Sequence, residues 1–155
     1  MKPSDFKDNA PQFNIEKYFT GTRLGQGIFF DRFGRARTSF TASLNGRMDN
    51  GALIIDELLT YKTGEKLTRT YTIKKLRENF YSLECPDLAE PGTIEQAGNV
   101  LQWRYRLKQD IGGGSIWTLK FDDWMYLQPD GETVLNRAHA SKFGIALGEV
   151  FMTVR

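Results

Sequence analysis

Three charged side chains stand at apolar positions of segments that otherwise alternate apolar and polar residues. Glu57 falls on the apolar side of segment 53–61, Arg69 on that of 67–73, and Asp123 on that of 117–127. An unpaired charge is costly to bury, so each group must find a partner, lose its charge or face water in a cavity. The pattern therefore indicates either ion pairs that fix strand register or polar anchors that orient an amphiphilic ligand in an apolar pocket.

Glu57 and Arg69 lie a few residues on either side of Thr63-Gly64, a turn signal that joins two predicted strands. Adjacent antiparallel strands bring such positions side by side. We therefore expect the two side chains to pair near one mouth of the sheet. Arg137 is a fourth candidate polar determinant of ligand binding.

The same alternation argues against a preformed catalytic pair at Asp122-Asp123, because neighbouring residues on a strand point to opposite faces. His139 is the only histidine and Cys85 the only cysteine. No motif places a nucleophile beside His139, and no metal-ligand spacing or cofactor fingerprint is present. We predict no catalytic residues and no cofactor.

Aromatic side chains follow the apolar rows at strand spacing: Trp103, Tyr105, Trp117 and Phe121. Such rows fill a solid core or line the wall of a ligand cavity, and the spacing fits both. The opposite, polar side of the strand that holds Trp103 and Tyr105 carries Arg104, Arg106 and Lys108, with Arg35 and Arg37 elsewhere. These residues indicate a solvated face that is also a candidate contact for anionic lipid head groups.

The elements that must position these side chains are short strands separated by glycine-containing turns. The predicted spans are 20–31, 35–44, 53–61, 67–76, 80–84, 93–97, 100–107, 116–127, 134–140 and 145–154. Strands this regular predict an all-β, antiparallel, up-and-down barrel of the lipocalin-like (calycin) type with about 8 to 10 strands. An open sandwich is the alternative architecture.

Length and composition fit one globular domain: 155 residues, 13% aromatic, with a formal charge of +2. Residues 1–12 are polar and proline-punctuated, which predicts a flexible segment. Residues 13–155 are predicted to form the barrel domain. Phe13, Ile15, Tyr18 and Phe19 have the spacing of one short helical turn that caps a barrel end.

The balanced charge disfavours nucleic acid as a partner. No apolar run reaches the length of a membrane helix. Residues 1–13 carry charges where a signal peptide would have its apolar core.

Several motifs together resemble an uncharacterised proteobacterial family of small lipocalin-like proteins. They are Phe19-Thr20-Gly21, Phe30-Asp31-Arg32-Phe33-Gly34, Gln96-Ala97-Gly98-Asn99, Phe121-Asp122-Asp123-Trp124-Met125-Tyr126, and Asn136-Arg137 followed by Ser141-Lys142-Phe143-Gly144. Members of that family are commonly described as lipoproteins, although this sequence has no export signal or lipid-attachment cysteine near its start. The resemblance implies a periplasmic or membrane-anchored location and a connection with lipids, and otherwise a cytoplasmic location is expected.

These observations favour a binding module that holds a fatty acid, lipid or other small hydrophobic ligand inside the barrel. The candidate ligand contacts are Glu57, Arg69, Trp103, Tyr105, Trp117, Phe121, Asp123 and Arg137. One alternative is an isomerase or cyclase that uses Asp123, His139 or Glu57 as acid or base. Another is a structural domain with a filled core.

Overall fold

Ten strands account for about two thirds of the chain in the computed structural model, which describes residues 1–155. The strands are β1 (Gly21–Asp31), β2 (Ala36–Asp49), β3 (Ala52–Tyr61), β4 (Lys66–Arg77), β5 (Phe80–Glu84), β6 (Gly92–Ala97), β7 (Val100–Asp110), β8 (Ile116–Leu127), β9 (Val134–Lys142) and β10 (Ile145–Val154). A 3-10 helix (Pro3–Phe6) and one α-helix, α1 (Ile15–Phe19), precede them.

The strands pair in chain order, and β1 closes the sheet by pairing antiparallel with β10. The closed antiparallel up-and-down barrel predicted from the sequence is therefore confirmed. Closure leaves no unpaired sheet edge, because every strand has a hydrogen-bonded neighbour on both sides. Alternation then sends one row of each strand into the barrel, as in β7, where Leu101, Trp103, Tyr105 and Leu107 face inward.

One end of the barrel is closed by α1 and the residues just before it. Phe13, Ile15, Tyr18 and Phe19 are each at most 5% exposed and belong to the main core cluster. The Asn14 side chain accepts a hydrogen bond from the Lys17 backbone N–H and caps the helix. The predicted capping turn is present at this end.

Residues 1–12, expected to be flexible, lie against the outside of the barrel. Pro3 is buried, and the Phe6 ring packs 6.0 Å from those of Trp124 and Tyr126. The backbone of Phe6 also reaches Gly98, where an added Cβ would stand 1.7 Å from the Phe6 carbonyl oxygen. These few apolar and backbone contacts hold Phe6 against the barrel.

Strand β2 runs to Asp49, five residues beyond its predicted end at Leu44. Asn45-Gly46, directly after this predicted end, is a dipeptide that favours a turn, yet both residues pair with β1 and β3. Gly46 has another role, since a Cβ there would come within 1.7 Å of the Phe19 carbonyl oxygen. The glycine allows α1 to approach the sheet closely.

Candidate functional site

The barrel encloses a cavity of about 500 Å³ on the side away from α1. Nineteen of its 25 lining residues are hydrophobic, and they come from nearly all the strands. This volume and composition are typical of sites for small organic ligands. Two small residues of β9, Ala138 and Ala140, line the cavity and leave space between larger neighbours.

Glu57 and Arg69 lie directly opposite each other on β3 and β4, as the hairpin predicted. Glu57 Oε1 accepts a hydrogen bond from the Tyr71 hydroxyl at 3.1 Å. Arg69 Nε instead donates to Asp87 at 3.0 Å. Burial raises the pKa of the Glu57 carboxyl, and the charge of Arg69 and the Tyr71 hydrogen bond oppose that rise.

Asp123 lies inside the barrel on β8 and is 7% exposed. Its carboxylate accepts hydrogen bonds from the Tyr105 hydroxyl at 3.3 Å and from Asn136 Nδ2. Asn136 also donates to the Trp124 carbonyl at 3.0 Å, which fixes the amide in place. Burial raises the pKa of Asp123 to about 7, although both hydrogen bonds favour the ionised form.

Because its pKa lies near neutrality, Asp123 exists in both protonation states around pH 7. The ionised form accepts hydrogen bonds only, whereas the protonated form can also donate one. The Tyr105 ring stacks on Phe121 with centroids 5.1 Å apart, and burial raises the Tyr105 pKa well above its usual value. Tyr105 therefore remains a neutral hydroxyl in the wall of the cavity.

Trp103 supplies one further polar group. Its ring lines the cavity and packs edge-to-face on Phe19, which closes the barrel below it. The Nε1–H is buried and has no hydrogen-bond partner in the protein. A buried donor without a partner is costly, and an acceptor atom on a ligand would satisfy it.

The mouth of the cavity is bordered by Trp117 and Ile111, which are 40% and 47% exposed. On another side of the barrel, the loop between β5 and β6 pairs with β7 through backbone hydrogen bonds to Arg106 and Lys108. Leu88 of this loop is buried and bridges to Leu107 of β7. The Arg69–Asp87 ion pair ties the same loop to the inner wall.

The structure brings seven of the eight sequence-derived ligand contacts to the cavity lining: Glu57, Arg69, Trp103, Tyr105, Trp117, Phe121 and Asp123. Arg137 lies on the outer face, where Nη2 forms an ion pair with Glu149. His139 is on the same face, with Nδ1 3.5 Å from Glu149. Asp122 also points away from Asp123 and accepts a hydrogen bond from Gln102.

Several polar residues of the cavity lining were not identified from the sequence as site residues, among them Tyr71 and Asn136. Both follow from strand parity. Tyr71 is two residues from Arg69, and Asn136 is two residues from Ala138, so each shares its neighbour's inward face. The same parity places Arg137 outside.

A second, more open depression of about 940 Å³ is lined by residues of β1, β2, β3, β8, β9 and β10. Exposed apolar side chains there include Ile28, Leu135 and Phe151. No three His, Cys, Asp or Glu side chains lie close enough together to hold a metal ion. Neither helical segment has the length and apolar character needed to cross a bilayer.

Comparison with solved structures supports the fold. A protein of unknown function from the DUF3598 family of Nostoc punctiforme PCC 73102 superposes with a TM-score of 0.68 at 16% identity. The match covers 94% of this chain and 49% of the other, so the chain spans about half the length of that relative. At this identity the similarity concerns the fold alone.

No functionally curated protein matches the sequence. A family match extends over residues 1–155, and the family is described as "Protein of unknown function (DUF3833)". The motifs had indicated an uncharacterised family, and this match confirms it. The chain belongs to the DUF3833 family.

Proposed function

We propose that the barrel binds one molecule of a fatty acid, another lipid or a similar small hydrophobic ligand. The supporting observation is the combination of an apolar cavity of about 500 Å³ with a few polar groups on its inner wall. The apolar lining accommodates a hydrocarbon chain, and the polar groups orient the head group. A filled structural core would not leave this space.

The polar groups favour a head group that is neutral. The cavity wall carries two carboxyls, Glu57 and Asp123, and its one arginine is already bonded to Asp87. An ionised carboxylate ligand would meet like charge at Asp123. A hydroxyl, ester carbonyl or protonated acid instead accepts from Trp103 Nε1 or from protonated Asp123.

This arrangement gives binding a pH dependence. Protonation of Asp123 removes a negative charge and adds a donor, so affinity for a neutral acceptor head group should rise as pH falls through about 7. The motif resemblance to lipoproteins adds a proposed setting for this function at the bacterial envelope, in the handling of lipids.

Native mass spectrometry of freshly purified protein, followed by lipid extraction, tests the proposal. The protein is then titrated with monopalmitoylglycerol and with palmitate at pH 6 and pH 8. We expect one bound molecule per chain and stronger binding of monopalmitoylglycerol at pH 6. Absence of any bound or titratable amphiphile at either pH would contradict the proposal.

A cavity-filling variant locates the binding site. Ala138 is 4% exposed, lines the cavity and pairs directly with Asp123 across the sheet. Ala138→Phe places a ring in the proposed ligand volume and should weaken binding at least about tenfold, since steric overlap displaces the ligand. Leu135→Phe is the matched control on the same strand, because Leu135 is 45% exposed on the outer face. Equal affinity of the two variants would place the ligand elsewhere.

A second candidate is an isomerase or cyclase in which Asp123 transfers a proton. The favouring observation is a carboxyl with a pKa of about 7 in the wall of an apolar cavity, a suitable state for general acid or base work. His139 lies outside the barrel and has no part in this candidate. Incubating unsaturated lipids in D₂O with the wild type and Asp123→Asn tests it, and deuterium incorporation by the wild type alone would support catalysis.

A further inference from the structure

The open end of the barrel carries a group of exposed apolar side chains on neighbouring hairpins. Three hairpins, β1–β2, β9–β10 and β7–β8, follow one another around this end, because the strand order is β2-β1-β10-β9-β8-β7. Their exposed apolar residues, here called the rim, are Phe33, Ile111, Ile116, Trp117, Phe143 and Ile145. Ile111 and Trp117 also border the cavity mouth, so the rim is continuous with the entrance.

Phe143 is 90% exposed and lies in a turn that disfavours it. Phe143 and Gly144 have φ values of 51° and 76°, the geometry of a two-residue hairpin that prefers Asn-Gly. At the opposite end of the barrel, Asn50 and Gly51 have φ values of 49° and 79° and provide that preferred pair. A bulky aromatic residue at positive φ costs conformational energy, and Phe143 recovers none of it by burial in this chain.

Basic residues accompany the rim. Segments 31–37, 110–117 and 141–146 contain four cations, Arg32, Arg35, Arg37 and Lys142, and two carboxylates, Asp31 and Asp110. Lys142 Nζ lies 5.2 Å from the Trp117 ring centroid and 4.7 Å from that of Phe143. The row Arg104, Arg106 and Lys108 lies farther along the outer wall, and Arg106 is paired with Glu90.

We propose that the rim docks on the surface of an anionic lipid bilayer. Exposed Phe, Trp and Ile side chains enter the head-group region, and Arg and Lys beside them attract anionic phospholipids. A surface binding mode of this kind turns the cavity mouth toward the membrane. The energy cost of Phe143 in its turn is then compensated by insertion into lipid.

Vesicle flotation separates this role from folding. The wild-type protein should bind vesicles of phosphatidylcholine with phosphatidylglycerol more tightly than vesicles of phosphatidylcholine alone, and high salt should weaken the binding. Phe143→Asn creates the preferred Asn-Gly turn, so its unfolding temperature should equal or exceed that of the wild type. It should nevertheless lower partition to anionic vesicles about tenfold, the effect of losing one buried aromatic side chain.

Leu76→Ser is the matched control, since Leu76 is 59% exposed and lies toward the closed end. It should bind vesicles as the wild type does. Wild-type binding by Phe143→Asn, equal loss in both variants, or no vesicle binding by the wild type would overturn the proposal. Native mass spectrometry reads cavity occupancy separately, so docking and ligand binding can each fail alone.

Discussion

Substituting Asp123 by Asn should make the protein more stable at alkaline pH and leave it nearly unchanged at acid pH. Asp123 is buried, and its pKa rises from 3.8 to about 7 on folding. Between these values the folded chain holds a proton that the unfolded chain has released. The unfolding free energy contributed by this group therefore falls as pH rises from 3.8 to 7 and is constant above that range.

The size of the effect follows from the shift. About three pKa units at ~1.4 kcal/mol each correspond to about 4 kcal/mol by pH 8, an upper bound because a buried site relaxes when it ionises. Asn preserves the side-chain size and can still accept from Asn136, but it carries no charge. The difference between variant and wild type should already be about 1 kcal/mol at pH 4.5, which lies above the unfolded pKa of 3.8, and should grow toward that bound at pH 8.

Urea denaturation of both proteins from pH 4.5 to 8.5 measures this difference. Other carboxyls, such as Asp130 with a pKa lowered to about 2, contribute equally to both proteins and cancel. Asp49→Asn serves as the control, because Asp49 is an exposed carboxylate at the end of β2. Parallel stability profiles for wild type and Asp123→Asn would contradict this prediction, since they would mean that the pKa of Asp123 does not change on folding.

Two further substitutions test the contacts that hold the closed end and the N-terminal segment. Gly46→Ala should cost about 2 to 4 kcal/mol in thermal or urea unfolding, because the new Cβ would stand 1.7 Å from the Phe19 carbonyl oxygen. Gly64→Ala meets no atom within 4 Å and should cost only the strain of its positive φ, about 1 to 2 kcal/mol; equal losses would contradict the close-approach argument. Phe6→Ala should cost about 2 kcal/mol and expose residues 1–12 to limited proteolysis, whereas unchanged stability would mean that the segment is not anchored through Phe6.

Strand alternation was sufficient to predict the fold, because the side-chain period of two can be read from the local sequence. It gave the register of Glu57 with Arg69 and the opposed faces of Asp122 and Asp123 before any tertiary contact was known. The Asn45-Gly46 pair shows the limit of local signals. An Asn-Gly dipeptide favours a turn, but close packing of α1 on β2 required the glycine for another reason.

The interior was less predictable than the fold. The space beside Ala138 and Ala140 depends on how side chains from many strands fill one volume, and no single strand contains that information. The pKa of Asp123 likewise depends on burial created by the whole barrel. Arg137 and Asn136 are adjacent on β9. Strand parity alone would have placed Asn136, and not Arg137, on the inner wall.

Intermolecular NOEs provide the most direct test of ligand binding inside the barrel. The protein is labelled at alanine methyl groups and mixed with monopalmitoylglycerol at pH 6. Binding inside the cavity should give NOEs from the acyl chain to the methyls of Ala138 and Ala140, which line it. A ligand that binds but gives no NOE to either methyl, or a protein that binds no ligand, would contradict the claim that the cavity is the binding site.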